Sequence, residues 1–141
     1  MKYSSIACFL LIFKVIFGTF ATDYHAIDGV SGMAVKNSRQ AIIVGGGRVG
    51  YRTAAQLNED GYTVTIIERD ASKQTDIAEH PGCRVIVGDG TDVDVFQQAN
   101  PTMADVVAGL TDDTETNLAV CELAREIVPE IRTLVRINGD G

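Results

Sequence analysis

The sequence has few of the residues that build metal sites and disulfide frameworks. Its 141 residues include only three cysteines and two histidines. Cys8, Cys83 and Cys121 are scattered without metal-ligand spacing, so we expect reduced thiols and a cytoplasmic setting. No spacing identifies a partner for His25 or His80, and we interpret both as surface residues. The pattern argues against a metal centre and against a small disulfide-rich fold.

Positive charge is also scarce. The chain carries 12 lysines and arginines against 19 acidic residues, which gives a formal net charge of -7. Its isoelectric point is near 4.7. A surface of this sign repels phosphate backbones, so the composition argues against nucleic acid as a partner.

The composition changes near Met33, and we place a boundary there. Residues 1–32 carry six of the nine aromatic residues and only four charged residues. Residues 33–141 are long enough for one domain with a sizeable core. Three interpretations of residues 1–32 stay open: the end of a membrane helix, a signal-like peptide, or a misplaced start upstream of Met33. The first of these would anchor the protein to a membrane.

After Met33, strand patterns alternate with helix patterns. Apolar and β-branched runs predict five strands, at residues 40–46, 62–69, 83–90, 104–110 and 131–137. Four helices are predicted between them, at residues 48–61, 70–82, 91–100 and 112–128. This alternation predicts an α/β fold, a Rossmann-like doubly wound parallel sheet in a single domain.

Several residues are predicted to define the ends and faces of these helices. Gly61 stands where the first helix should end in a left-handed residue. Thr91 is predicted to cap the third helix, in a capping box with Asp94, and Asp112 and Glu115 are predicted to cap the last. Along the last helix, Leu118, Cys121 and Val128 are expected to lie on one broad apolar face that is buried.

A glycine cluster follows the first predicted strand, in the stretch "AIIVGGGRVG" at residues 41–50. Gly45, Gly47 and Gly50 fit the G-x-G-x-x-G pattern, between a strand and a helix as a dinucleotide fingerprint requires. Gly45 allows a tight turn, Gly47 leaves room for a pyrophosphate, and Gly50 lets the helix approach the strand. The start of the helix would offer free N–H groups and a partial positive charge to the phosphates. Arg48 either approaches phosphate or points to solvent.

Acidic residues follow the next strands. Glu68 ends the second strand, 18 residues after Gly50. A carboxylate there can accept hydrogen bonds from both ribose hydroxyls and repel a 2′-phosphate, which favours NAD over NADP. Asp89, after the third strand, is expected to meet the base or ribose, or to form a strand-to-helix turn. "LTDD" follows the fourth strand at the same edge, as a helix cap and a candidate nucleotide contact.

Three stretches together resemble a known family. They are "IIVGGGRVGYRTAAQLNEDGYTVTIIERD", "VIVGDGTD" and "ADVVAGLTDDTETNLAVCELAREI". Their order resembles the N-terminal lobe of the RCK family, the regulators of potassium conductance, which include TrkA-type subunits of potassium uptake. The resemblance covers roughly residues 39–138. It implies a Rossmann lobe that binds NAD(H) or adenine nucleotides such as ATP and ADP, forms dimers or rings beneath a potassium channel or transporter, and gates the pore.

The resemblance also implies a set of site residues and a location. The protein would be cytoplasmic and peripheral to the inner face of the cell membrane. The family's lobe usually continues past the fifth strand into another strand, a crossover helix and a second lobe, beyond the last residue of this sequence. The residues implied to contact the nucleotide are Gly45, Gly46, Gly47, Arg48, Val49, Gly50, Glu68, Arg69, Asp89, Gly90, Thr91, Leu110, Thr111, Asp112, Asn117 and Arg136.

Three functions are compatible with these patterns. The leading hypothesis is a nucleotide-binding regulatory module of potassium transport without chemistry of its own. The alternative is the cofactor-binding half of a truncated NAD-dependent dehydrogenase, which needs an acid or base near the nicotinamide. No histidine or lysine lies at a predicted strand end, which disfavours the enzyme. A channel subunit is the third hypothesis, if residues 1–32 end a pore helix.

The change in composition at Met33 generates a first prediction. A chain starting at Met33 should be soluble and should unfold cooperatively, because the predicted core lies entirely after that residue. Urea denaturation followed by circular dichroism measures this directly. An unfolded shortened chain beside a stable full chain would show that residues 1–32 belong to the domain.

Overall fold

A computed structural model describes residues 39–74 and 82–139. Within these ranges the strands are β1 (Arg39–Val44), β2 (Tyr62–Glu68), β3 (Cys83–Val87), β4 (Val106–Gly109) and β5 (Arg132–Val135). The α-helices of the same ranges are α1 (Arg48–Glu59), α2 (Val93–Gln97) and α3 (Thr114–Ile127). Two single-turn 3-10 helices cover Ala71–Lys73 and Pro101–Met103.

The five strands form one parallel sheet in the order β3-β2-β1-β4-β5. The chain moves outward from β1 to β3, then returns across the sheet and places β4 on the other side of β1. The strand order therefore reverses beside β1, between β1 and β4. The predicted Rossmann-like, doubly wound sheet is confirmed, and such a reversal is where open α/β sheets bind ligands.

The central strand β1 is apolar on both sides because helices cover both faces of the sheet. Ile42 and Val44 belong to a buried cluster with Phe96 of α2 and Val120 of α3. Ile43 points to the opposite face, where α1 crosses: a Cβ on Gly50 would lie 3.5 Å from its Cγ2. A strand buried in this way needs a continuous apolar run, and "AIIV" supplies it.

One predicted helix end is confirmed by the structure, and two predicted helix caps are wrong. Gly61 follows α1 with a φ of +93°, the left-handed conformation that was predicted. The predicted cap Thr91 is wrong, since Asp92 precedes α2 and its side chain accepts the N–H of the residue two positions on. The predicted cap Asp112 is also wrong, since Asp113 directly precedes α3. A capping oxygen must lie directly before the first helical residue to reach these N–H groups.

The buried face of α3 also differs from the prediction. Leu118 is 45% exposed, so its predicted burial is wrong, whereas Cys121 is fully buried as predicted. Burial raises the pKa of the Cys121 thiol. The inward position next to Leu118 is taken by Asn117, a polar residue that an apolar periodicity cannot identify.

Some sequence predictions fall outside the described residues. The helix predicted at 70–82 begins as the 3-10 turn Ala71–Lys73, capped by Asp70, and residues 75–81 are not described. The boundary at Met33 and the alternatives for residues 1–32 also lie outside. The described residues 39–74 and 82–138 belong to one compact unit. None of the helices in 39–74 and 82–139 has the length and apolar character needed to cross a membrane.

Phe96 provides a test of how α2 is held. Its ring is completely buried, although α2 has only five residues. Phe96→Ala should lower the free energy of unfolding by about 3–5 kcal/mol, because it removes the ring and leaves a cavity. Val93→Ala on the same helix is the control, since Val93 is 50% exposed and should change stability by less than about 0.5 kcal/mol. Equal effects of both substitutions in urea denaturation would contradict this packing.

Candidate functional site

A crevice of about 480 Å³ lies along the carboxyl ends of the strands. Its lining comes from the segments that follow each of the five strands, on both sides of the strand-order reversal. This volume is within the range of small-molecule sites. The predicted site residues that line it are Gly45, Gly47, Arg48, Glu68, Arg69, Asp89, Gly90, Leu110, Thr111, Asp112 and Arg136.

The loop after β1 is shaped by close backbone approaches. Gly45 has a φ of +110°, which L side chains rarely adopt, and a Cβ there would lie 2.8 Å from the Thr111 nitrogen. A Cβ on Gly50 would overlap the carbonyl oxygen of Gly45. The loop is therefore held between α1 and the segment after β4. Gly50 lies against the loop and Val49 is buried, and neither is among the crevice-lining residues.

Gly47 is different, because space is open around it. It precedes α1 as an N-cap without a side-chain hydrogen bond, and no atom lies within 4 Å of the position of its Cβ. It also lines the crevice. The first N–H groups of α1 thus have no capping side chain, and the positive end of the helix dipole faces the crevice.

A second helix begins at the crevice but is already capped. The Asp113 carboxylate accepts the N–H of Thr116 (3.3 Å) and its hydroxyl (2.5 Å). The hydroxyl of Thr116 is the main cause that lowers the pKa of Asp113. A carboxylate at the start of α3 repels anions, so α1 and not α3 offers the better anion site.

Glu68 makes contacts that the sequence analysis missed. Its side chain is only 7% exposed. Its Oε1 accepts the N–H of Gly46 (2.8 Å) and its Oε2 accepts the N–H of Asp70 (2.6 Å). The register pairs Val44 with Ile67, which brings the next residues of both strands together. Only this register could have identified the contact.

Asp89 forms the strand-to-helix turn that was one of its two predicted roles. Its Oδ1 accepts the N–H of Thr91 (2.9 Å) and the Thr91 hydroxyl (2.7 Å). The hydroxyl of Thr91 is the main cause that lowers the pKa of Asp89, followed by the backbone N–H. Asp89 lines the crevice as an ionised group, whereas Thr91 serves the turn.

Asn117 organises the other side of the crevice without lining it. Its Oδ1 accepts the Thr111 N–H (2.8 Å) and the Thr111 hydroxyl (2.6 Å). Its Nδ2 donates to the carbonyls of Thr111 (3.0 Å) and Arg136 (2.8 Å). Asn117 is fully buried, so it acts by joining the ends of β4 and β5. The Arg136 side chain does line the crevice, with Nη1 3.4 Å from the Thr111 carbonyl oxygen.

The crevice carries charges of both signs. Arg48, Arg69, Lys73 and Arg136 line it, together with Glu68 and four aspartates. Lys73 was not predicted, because the sequence assigned it to the interior of a helix rather than to the turn after β2. Asp113, the last residue of the "LTDD" stretch named as a candidate contact, also lines the crevice, and the lining residues that were not predicted are Val44, Ile67, Asp70, Gly88 and Thr116 besides Lys73.

The arrangement suits a ligand with both phosphate and hydroxyl groups. Free N–H groups at α1 can hold phosphate oxygens, and carboxylates beside them can accept hydrogen bonds from a sugar. Among the described residues, no group of three or more histidine, cysteine, aspartate or glutamate side chains could hold a metal ion.

Comparisons with known proteins agree with this geometry. Solved structures share the fold, among them the following two. The TrkA-N domain of the inner membrane protein ybaL from Escherichia coli has a TM-score of 0.60 at 23% identity, covering 70% of this chain and 73% of that one. The Kef CTD of Shewanella denitrificans in AMP bound form has a TM-score of 0.59 at 24% identity, covering 67% and 57%.

The sequence comparisons identify the family. The Trk system potassium uptake protein TrkA homolog of Pyrococcus abyssi is 39% identical over 100 residues, or 71% of this chain. The chain spans 44% of that relative's length. Residues 41–141 match the family model of the TrkA-N domain. The chain therefore belongs to the TrkA-N family, whose domain is of the RCK-type Rossmann fold.

Proposed function

We propose that this chain is a nucleotide-sensing module of a potassium transport system, which binds NAD(H) in the crevice and performs no chemistry of its own. The observation that carries the proposal is Gly47, at the uncapped start of α1, with open space where a side chain would stand. A pyrophosphate needs this combination of space and unpaired N–H groups.

The remaining crevice residues fit a dinucleotide. Glu68 and Asp89 lie on the β2–β3 side, where carboxylates can accept hydrogen bonds from the adenosine ribose. Thr111 and Arg136 line the β4–β5 side and would meet the second nucleotide half. NAD(H) has groups for both sides, whereas ATP or ADP has one nucleoside. Glu68 also disfavours the 2′-phosphate of NADP. AMP in the Shewanella relative supports adenine-nucleotide binding in general and leaves ATP and ADP as alternatives.

A sensor must convert binding into a change that a partner can read. A ligand shifts such an equilibrium only by the difference in its affinity for the two states. The partner we propose is a membrane potassium transporter or channel subunit, reached on the cytoplasmic side through a dimer or ring of these domains. The potassium uptake function named for the Pyrococcus relative supports this assignment.

Gly47→Val tests the phosphate loop. The branched side chain would occupy the space assigned to the pyrophosphate, so affinity for NADH should fall at least tenfold, or about 1.4 kcal/mol. The free energy of unfolding without ligand should change by less than the binding free energy does, because no atom lies within 4 Å of the Cβ position at residue 47. Calorimetric titration with NADH, NAD, ATP and ADP measures both the effect and the preferred ligand.

Ala119→Val is the matched control for this substitution. Ala119 is exposed on α3 and does not line the crevice, so the added methyl groups should leave affinity unchanged. If Gly47→Val binds NADH as tightly as the wild type, the pyrophosphate does not occupy this loop.

The dehydrogenase alternative gives the opposite result in a second experiment. A sensor should leave NADH unconsumed in the presence of small carbonyl substrates, while NADH and NAD produce different scattering profiles. Absorbance at the NADH band follows consumption, and small-angle scattering of the full chain follows conformation and assembly. Substrate-dependent oxidation of NADH would refute the sensor and support the enzyme.

A further inference from the structure

We propose that Glu68 is a positioning residue for the phosphate loop. Its carboxylate sets the orientation of the peptide bond between Gly45 and Gly46, in addition to any hydrogen bond it makes to a ribose. The inference rests on the proposed function in one respect, since it takes this loop to be the part that binds phosphate.

The peptide bond between Gly45 and Gly46 is held from both sides. Its carbonyl oxygen lies against Gly50, where a Cβ would overlap it. Its N–H points the other way and donates to Glu68 Oε1 at 2.8 Å. The preceding N–H, that of Gly45, donates to the Ile67 carbonyl at 2.9 Å. Two successive N–H groups of the loop are therefore bound to the end of β2.

Glu68 is joined to two further segments of the crevice. Its Oε2 accepts the Asp70 N–H at 2.6 Å, and its main-chain carbonyl accepts the Gly88 N–H at 2.9 Å. One residue thus joins the segments that follow β1, β2 and β3. Any shift of the carboxylate would change the loop after β1 and the turn after β2 together.

The two N–H groups require two acceptor oxygens at this position. A carboxylate provides both acceptor oxygens. A carboxamide provides only one, and its NH₂ group would face the other N–H, so that two donors would meet without an acceptor. Because Glu68 is 7% exposed, water replaces a lost partner poorly. Glutamine is therefore not a neutral substitute, despite its similar shape.

Charge and geometry predict opposite effects of Glu68 on phosphate binding. A carboxylate beside a phosphate site repels the ligand, so removing its charge should strengthen anion binding if charge alone matters. If the carboxylate orients the loop, removing it should weaken anion binding instead. A ligand without a ribose separates this role from ribose recognition.

Inorganic pyrophosphate is that probe. We expect Glu68→Gln to weaken its binding to the full chain at least tenfold, as measured by amide shifts in NMR titrations. Glu59→Gln is the matched control: it makes the same carboxylate-to-carboxamide change at an exposed residue of α1 that does not line the crevice. Its affinity for pyrophosphate should stay equal or rise. Equal or tighter binding by Glu68→Gln would overturn the positioning role.

Amide hydrogen exchange without ligand gives a second readout. In the wild type, the Gly46 N–H should be protected to a similar degree as that of Gly45, which has a main-chain acceptor. In Glu68→Gln, exchange at Gly46 should accelerate at least tenfold relative to Gly45. An unprotected Gly46 in the wild type would overturn the proposal even if the variant does not fold.

These measurements separate the two proposals. A wild-type protein that binds neither pyrophosphate nor NADH would refute the proposed function, while Gly46 exchange would still decide the role of Glu68. A wild-type protein that binds both ligands, with Gly46 exchange unaffected by Glu68→Gln, would refute only the positioning role.

Discussion

The close approach of α1 to the end of β1 is the constraint on which the site depends. Gly50 has no room for a side chain because the Gly45 carbonyl occupies that space. This contact brings the start of α1 to the carboxyl end of the central strand. It also leaves the first N–H groups of the helix facing the crevice rather than a neighbouring side chain. Without it, Gly47 would be an ordinary glycine in a loop.

The same loop contacts both neighbours of β1. On one side, Glu68 at the end of β2 accepts the Gly46 N–H. On the other side, Gly45 lies so close to Thr111 that a Cβ would approach its nitrogen to 2.8 Å. Thr111 is in turn held by Asn117, which also binds the carbonyl of Arg136 beyond β5. A continuous series of short contacts therefore links the glycine loop after β1 to the edge strand β5, and every step of it is backbone or a buried side chain.

The sequence predicted the sheet and the glycine loop because their signals are local. "AIIV" needs only its own composition to indicate a buried strand, and Gly45, Gly47 and Gly50 are informative through their spacing. The wrong helix caps, Thr91 and Asp112, each lie one residue before the true one. Neighbouring acidic and hydroxyl residues make such positions ambiguous until backbone angles are known.

The contacts of Glu68 and Asn117 could not be predicted, because they depend on which strands become neighbours. Nothing local in the sequence relates residue 46 to residue 68, or residue 117 to residue 136. Asparagine is a polar residue of the kind that usually lies at the surface. Asn117 is nevertheless fully buried, because four hydrogen bonds satisfy its side-chain amide. A sequence pattern more readily identifies the residues that a ligand would contact than the residues that hold those contact residues in position.

The mixture of charges in the crevice bears on how an anion is held there. Four basic residues line it, but so do Glu68 and four aspartates, in a chain with a net charge of -7. Long-range attraction of a negative ligand is therefore weak, and salt would screen what there is. The oriented N–H groups at α1 act at short range and depend on direction. We therefore expect affinity at the proposed phosphate site to be set by the geometry of the loop more than by the number of cations, which is compatible with a buried carboxylate beside it.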